Sequence, residues 1–271
     1  MRRPAWRGGK AEPVRLLWTG GWDSSFRLLD VVVVQQRPVQ PYHVPLRRGF
    51  AALEIAAMAR IRERLAERFP EAAGLLLDLR LLEPPEREGG VLHERYLALR
   101  KLSHPRVPGG QLYWLAATAE AHGLTDLELG LHAERGAPWY DLLRRNVERQ
   151  DGSFRLSAGC AIPELELFRP FLLPLLDLSK AHMEERARQG GFADLLELSW
   201  FCYTPDRRGR PCGLCPPCRG TMAQGLGRRI PAFNRLRSRL VFPVLTLLRK
   251  LRARTRAILR SRAAGAAERD P

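Results

Sequence analysis

No run of about 18 apolar residues occurs in the 271-residue chain, so no segment has the length a membrane-spanning helix needs. The basic N-terminus, with Arg2, Arg3, Arg7 and Lys10, is not followed by an apolar core. That argues against a secretory leader, leaves residues 1–13 as a flexible extension and points to a cytoplasmic protein. A G-x-x-x-x-G-K-[ST] loop is missing, which disfavours a Walker-type NTPase, and so is a G-x-G-x-x-G turn after a strand, which disfavours a dinucleotide oxidoreductase. Neither a Ser-His-Asp arrangement nor H-E-x-x-H appears, so hydrolase chemistry has little support, and the six histidines read as scattered structural or solvated groups. Internal repeats are absent. Hydrophobic residues at 45% and charged residues at 27% exclude wholesale disorder. The length suits one large α/β domain with an appendage, or two small domains.

Lysine is scarce: Lys10, Lys101, Lys180 and Lys250 are the only four among 45 basic residues. The net charge of +16 is unevenly spread. Residues 228–271 hold 13 basic and 2 acidic residues, a net +11, and the other 227 residues carry only +5. The charge is therefore weak evidence that the body of the chain binds nucleic acid.

Apolar runs over Val14–Trp18, Val39–Val44, Leu75–Leu82 and Leu127–Leu131 read as strands. Helical patterns lie between them over Ser24–Val34, Phe50–Phe69, Leu92–Leu102 and Gly110–His122. The β-branched Val31–Val34 could equally be extended. In Phe50–Phe69 the residues Leu53, Ile55, Ala56, Met58, Ile61 and Leu65 form the expected apolar side, and Pro70 stops the helix. The alternation predicts a parallel sheet with helices on both faces. Residues 133–163 look less regular. Phe171–Leu178, interrupted by Pro174, reads as an edge strand, and Ser179 as a helix cap.

Two segments carry chemistry. The first is Thr19-Gly20-Gly21-Trp22-Asp23-Ser24-Ser25, between the first strand and first helix. Glycines let a backbone approach an anion closely, the amides of a helix start point at it, and hydroxyls add donors. Asp23 is odd at a phosphate site unless Mg²⁺ bridges it or it orders the loop. An ordinary strand-to-helix turn with a serine cap explains the spacing equally well. The second segment is Cys202-x9-Cys212-x2-Cys215-x2-Cys218. Four thiolates at this spacing close a tetrahedral Zn²⁺ shell of structural type, and an iron–sulfur cluster needs the same ligand count. Cys160 stands apart as a free thiol.

T-G-G-W-D-S-S after an apolar strand resembles the S-G-G-x-D-S signature of the PP-loop ATP pyrophosphatases, with Thr19 for the usual serine. Ser199-Trp200-Phe201-Cys202-Tyr203 and the three following cysteines are similar to the zinc segment of the 7-cyano-7-deazaguanine synthases of the queuosine pathway. Leu178-Ser179-Lys180-Ala181 resembles that family's L-[ST]-K-A helix start. Val107-Pro108-Gly109-Gly110 resembles its V-P-G-R-N turn. Together these motifs cover residues 14–219. Arg47, Arg48 and Glu54 match a further family stretch only weakly. In place of a D-Y-S-G-Y-P-D-C-R type segment the chain has His132-Ala133-Glu134-Arg135-Gly136-Ala137-Pro138-Trp139-Tyr140-Asp141, where Trp139 and Tyr140 are the expected neighbours of a substrate.

The resemblance implies a Rossmann-like ATP-binding domain over 14–200, a zinc segment over 201–220 and a helical basic tail over 228–271. It implies a ligase that adenylates a carboxylate with ATP and Mg²⁺ and then couples it to ammonia. Residues 19–25 would bind ATP, with Ser24 and Ser25 on the β- and γ-phosphates. Asp23 and Lys180 would be catalytic, Asp23 holding Mg²⁺ and Lys180 supplying a mobile charge. Two rivals stand beside this reading: a PP-loop enzyme acting on tRNA or a protein carboxylate, and a nucleotide-binding module that does not turn over. For the tail, three partners compete: the body or a second subunit of a homodimer, an anionic membrane surface, and a polyanion such as RNA.

Overall fold

The computed structural model describes residues 12–46, 48–103, 111–134 and 136–241. The Val107–Gly110 turn, Arg47, the side chain of Arg48, Arg135 and the tail beyond residue 241 lie outside them. Contacts divide the chain into two compact units, Met1–Trp200 and Phe201–Pro271.

The first unit opens with β1 (Val14–Leu17), α1 (Trp22–Leu29), β2 (Val39–His43), α2 (Arg48–Arg68), α3 (Pro70–Leu75) and β3 (Arg80–Leu81). It continues through α4 (Gly90–Ser103), α5 (Gln111–Ala121), β4 (Leu127–Glu128), α6 (Pro138–Arg145) and the strands β5 (Val147–Gln150) and β6 (Ser153–Leu156). β7 (Phe171–Leu172), α7 (Lys180–Gln189) and α8 (Ala193–Glu197) complete it. The main sheet has the order β3-β2-β1-β4-β7 and every pairing in it is parallel. Helices cover both faces. One set comprises α1, α2, α3, α7 and α8. The other comprises α4, α5, α6 and a 3₁₀ turn at Pro163–Phe168. Parallel strands need such crossovers, and buried on both sides they read as short apolar runs rather than alternating ones.

Several expectations shift in detail. Val31–Val34 is neither a strand nor regular α-helix: α1 runs on into a π-helical turn, Asp30–Val34. Pro70 ends α2 and also starts α3, because a proline at a first helical position loses no bond that an interior residue would make. The buried stripe of α2 is Ala51, Ala57, Met58, Ile61 and Leu65, which leaves Ile55 39% exposed at its edge and Ala56 outside it. The third strand shrinks to Arg80–Leu81, with Leu75 closing α3 and Leu76 making an isolated bridge to Val39. Phe171–Leu172 is an edge strand as its proline neighbour requires. Residues 133–163 are more regular than expected. They hold α6 and the hairpin β5–β6, whose turn residues Asp151 (φ 49°) and Gly152 (φ 80°) are both left-handed. Asp-Gly between two strands is the strongest short-range hairpin signal, and it stands in the sequence.

The second unit contains the cysteines, α9 (Pro216–Ala223), a 3₁₀ turn at Gly227–Arg229 and a helix over 232–241, where the described residues end. Among the described residues no helix is long and apolar enough to cross a membrane.

Candidate functional site

β1 lies between β2 and β4, and the chain leaves it toward one side of the sheet before returning to the other. This is the switch point at which open parallel sheets hold ligands, at the carboxyl ends of the strands. The glycine turn sits there. Gly20 has φ +66°, and a Cβ at this position would lie 2.7 Å from the carbonyl oxygen of Glu54. The carbonyl of Gly20 accepts from the amide of Trp200 at 2.7 Å. Both conformation and space therefore demand glycine. Gly20→Ala is expected to lower stability by at least about 2 kcal/mol, read as a drop in thermal midpoint. A melting curve equal to the parent's would mean that the turn relaxes freely.

Hydroxyls tie the turn to itself. Ser24 Oγ accepts from the amide of Thr19 (3.2 Å) and lies 3.1 Å from Thr19 Oγ1, while Ser25 Oγ accepts from the buried indole of Trp18 at 3.0 Å. The first bond inside α1 runs from the Ser25 amide to Gly21 at 3.0 Å. The amides ahead of it point out of the helix start, where partial positive charge collects.

Asp23 occupies the first turn of α1. One carboxylate oxygen pairs with Lys180 Nζ, and the other lies 3.5 Å from His132 Nδ1. Burial would raise the Asp23 carboxyl, but the Lys180 ammonium and the His132 ring overcome it and hold the group well below the usual carboxylate range. Lys180 stands just after Ser179, whose hydroxyl caps α7 by accepting from the His182 amide at 3.3 Å. Two helix starts, a carboxylate and a nearly buried ammonium thus meet at one end of the sheet. The two residues are 157 positions apart in sequence.

β4 reaches this point through two contacts. Arg27 binds Glu128 with two 2.7 Å bonds, fixing α1 to β4. A Cβ on Gly130 would lie 3.2 Å from the Ser24 amide, so glycine gives the close approach. On the other side His43, fully buried, has Nδ1 3.2 Å from the Trp18 carbonyl and Nε2 3.7 Å from Glu54. Burial pushes the His43 ring pKa down.

His132 and His43 correct the reading of the histidines as scattered, since both flank the glycine turn. Histidine type alone carries no such signal; only the return of β4 beside β1 brings His132 to Asp23. A second correction concerns Trp139 and Tyr140. Both are buried in the α6 face, and Tyr140 donates to the Leu176 carbonyl at 2.9 Å, so they are core residues rather than a ligand wall.

In the second unit the sulfurs of Cys202, Cys212, Cys215 and Cys218 are all buried and lie within 4.8 Å of one another. Two separations, Cys212–Cys218 and Cys202–Cys215, are 3.9 Å. A tetrahedron with Zn–S near 2.3 Å has edges of about 3.8 Å. The quartet is thus sized for one ion. A four-iron cluster, with each thiolate on a different iron, needs wider spacing. Amides of Leu214 and Cys215 donate to Cys212 Sγ at 3.3 and 3.4 Å, and the Cys212 amide donates to Cys202 Sγ at 3.3 Å. Such bonds favour thiolate. Hydrogen bonding with Cys202 and Cys218 holds the Cys215 thiol well below the usual thiol range, and the pairing pushes Cys202 up to about 12. Gly213 (φ +78°) makes the tight turn possible, since a Cβ there would lie 2.4 Å from the Asn234 carbonyl oxygen.

The chain is similar in sequence to known proteins. The family model described as Queuosine biosynthesis protein QueC matches residues 107–226. The 7-cyano-7-deazaguanine synthase of Caulobacter sp. (strain K31) is 28% identical over 237 residues, covering 77% of this chain and 87% of that protein. The 7-cyano-7-deazaguanine synthase of Bradyrhizobium sp. (strain BTAi1) is 31% identical over 187 residues, 62% of this chain and 74% of that protein. The agreement extends over most of each relative's length, and the chain belongs to the 7-cyano-7-deazaguanine synthase family.

Proposed function

We propose that the chain couples a carboxylate to ammonia at the cost of ATP, with 7-carboxy-7-deazaguanine as the acid and 7-cyano-7-deazaguanine as the product. The observation that carries this reading is the Asp23–Lys180 pair at the mouth of the glycine turn. In the first half-reaction a carboxylate oxygen attacks the α-phosphorus of ATP, and the bond to the bridging oxygen breaks toward pyrophosphate. Ammonia then adds to the acyl carbon and AMP leaves, giving the amide. In a second round the amide oxygen takes the α-phosphorus of another ATP, and loss of AMP and two protons leaves the nitrile.

The residues supply position and charge. The glycine turn of residues 19–25 meets the phosphates through the amides that precede the first bond inside α1. Ser25 Oγ accepts from Trp18 and Ser24 Oγ from the Thr19 amide, and both hydroxyls are assigned to the β- and γ-phosphates. Lys180 follows the departing pyrophosphate as a point charge. The ionised Asp23 carboxylate has the donor chemistry for Mg²⁺, which when bound would neutralise phosphate charge. The four cysteines hold zinc as a closed structural shell that takes no part in the reaction.

One observation favours a second reading, in which a tRNA- or protein-borne acid is adenylated. His132 and Glu134 stand where the family usually carries its substrate segment; His132 lies 3.5 Å from Asp23, and Glu134 lies 4.0 Å from the other ring nitrogen of His132. An assay with 7-carboxy-7-deazaguanine, ammonia, ATP and Mg²⁺ separates the two. AMP and pyrophosphate with nitrile formation are expected. Their formation with another acid only would move the substrate to the second reading. ADP and phosphate would refute the PP-loop chemistry, and no turnover with any acid would favour a binding module.

A further inference from the structure

Residues 201–271 hold 17 basic and 3 acidic residues, a net +14 that leaves only +2 for residues 1–200. Part of this charge surrounds a recess of ≈ 570 Å³ in the second unit, walled by Arg207, Arg208, Arg237, Phe233 and Asn234. Its loop is held firmly. Asp206 accepts from the amides of Arg208 (2.9 Å) and Arg210 (3.0 Å), from the Arg210 guanidinium and from Asn234 Nδ2 (3.1 Å). Buried Asn234 also donates to the Pro211 carbonyl at 2.9 Å. The single carboxylate at the recess is therefore engaged with the loop and with Arg210. The side chains of Arg207, Arg208 and Arg237 are exposed and enter no ion pair among the described residues. Beside them the ring of Phe233 is 70% exposed.

Like charges held close together repel, and an anion relieves that repulsion. Guanidinium groups take phosphate oxygens bidentately, and an exposed ring beside them offers a stacking surface for a base. We propose that this recess binds single-stranded nucleic acid, with phosphates on Arg207, Arg208 and Arg237 and a base stacked on Phe233. The feature is independent of the glycine turn and of the adenylation chemistry. A bilayer is the weaker candidate. Leu236 and Leu240 are exposed on the same helix, but a concave site with arginines on a hydrogen-bonded loop does not match a flat lipid surface.

The test uses the full-length, zinc-loaded protein and fluorescence anisotropy with labelled oligouridine and oligothymidine of about twelve nucleotides, within the usual footprint of such sites. Vesicles containing phosphatidylserine form a parallel arm. Binding to one or both oligonucleotides is expected, falling steeply with salt. Phe233→Ala should weaken it roughly tenfold, from the loss of one base stack, and Phe233→Trp should retain it. Arg207→Ala with Arg208→Ala should reduce the salt slope by about one to two. Unchanged zinc content and circular dichroism identify variants that remain folded. The proposal fails if neither oligonucleotide binds, if binding survives all three alanine substitutions and so belongs elsewhere in the basic chain, or if only vesicles bind.

Discussion

Asp23→Ala is expected to lower the rate of ATP conversion to AMP and pyrophosphate by about 10²- to 10³-fold, the range found when one preorganised charged or donor group is removed from a transition state. Two effects act together. On the proposed mechanism the carboxylate is lost as a metal ligand, and Lys180, only 8% exposed, is left without its counter-charge. The second effect is also a stability effect. It should fall below the ~3–5 kcal/mol of a fully buried pair, because the Asp23 side chain keeps 23% of its surface in solvent. The two are separated by the double substitution Asp23→Leu with Lys180→Met. Replacing the pair by apolar residues should recover the thermal midpoint while turnover stays lost. Lys180→Ala alone should affect ATP binding less than the chemical step. The pH dependence has a definite sign. The folded-state pKa of Asp23 lies below its usual value of 3.8, so the pair stabilises the fold above that pH and is lost only as acid protonates the folded carboxyl. A parent enzyme and an Asp23→Ala variant with equal turnover would remove the pair from the mechanism.

Stripping metal from the cysteine quartet is expected to unfold the second unit and leave the first folded. Apparent binding energies of about 10–16 kcal/mol for tetrahedral zinc sites exceed the stability that so small a unit draws from its own core. The described part of that unit has few long apolar contacts to fall back on. Its buried residues are chiefly the four cysteines with Leu226, Ile230, Thr221, Asn234 and Ser238. Hydrogen exchange after treatment with a strong chelator should therefore accelerate over residues 201–241, with the amides of β1, β2 and α5 unchanged. Cys215→Ser should do the same and should lower ATP binding far less than Asp23→Ala does. Metal analysis of the purified protein should find about one zinc per chain. A preparation free of both zinc and iron, with normal exchange over 201–241, would end the assignment.

Local signals were legible in the sequence because their physics is local. The glycines of the Thr19–Ser25 turn, the Ser179 cap and the C-x-x-C spacing each act within a few residues, and each appears in the structure. The Asp151-Gly152 turn is an equally local signal, and it joins β5 and β6 within a stretch whose apolar pattern is irregular. The stripe of α2 was displaced because a helical pattern rich in alanine defines its apolar side poorly, and the pull of neighbouring α3 and α8 decides which edge is covered.

The sequence by itself determined the alternation of strands and helices, the position of the glycine turn and the spacing of the four cysteines, because periodicity, capping and residue spacing are written in neighbouring residues. Only the tertiary structure decided that His132 and Lys180, contributed by the end of β4 and the start of α7, close on Asp23. It alone decided that Trp139 and Tyr140 turn into the core, and that Arg207 and Arg208 meet Phe233 and Arg237 across one recess. The reason is strand order. A parallel sheet joins segments more than a hundred residues apart at one edge, and no local pattern specifies which side chains the crossovers will bring together.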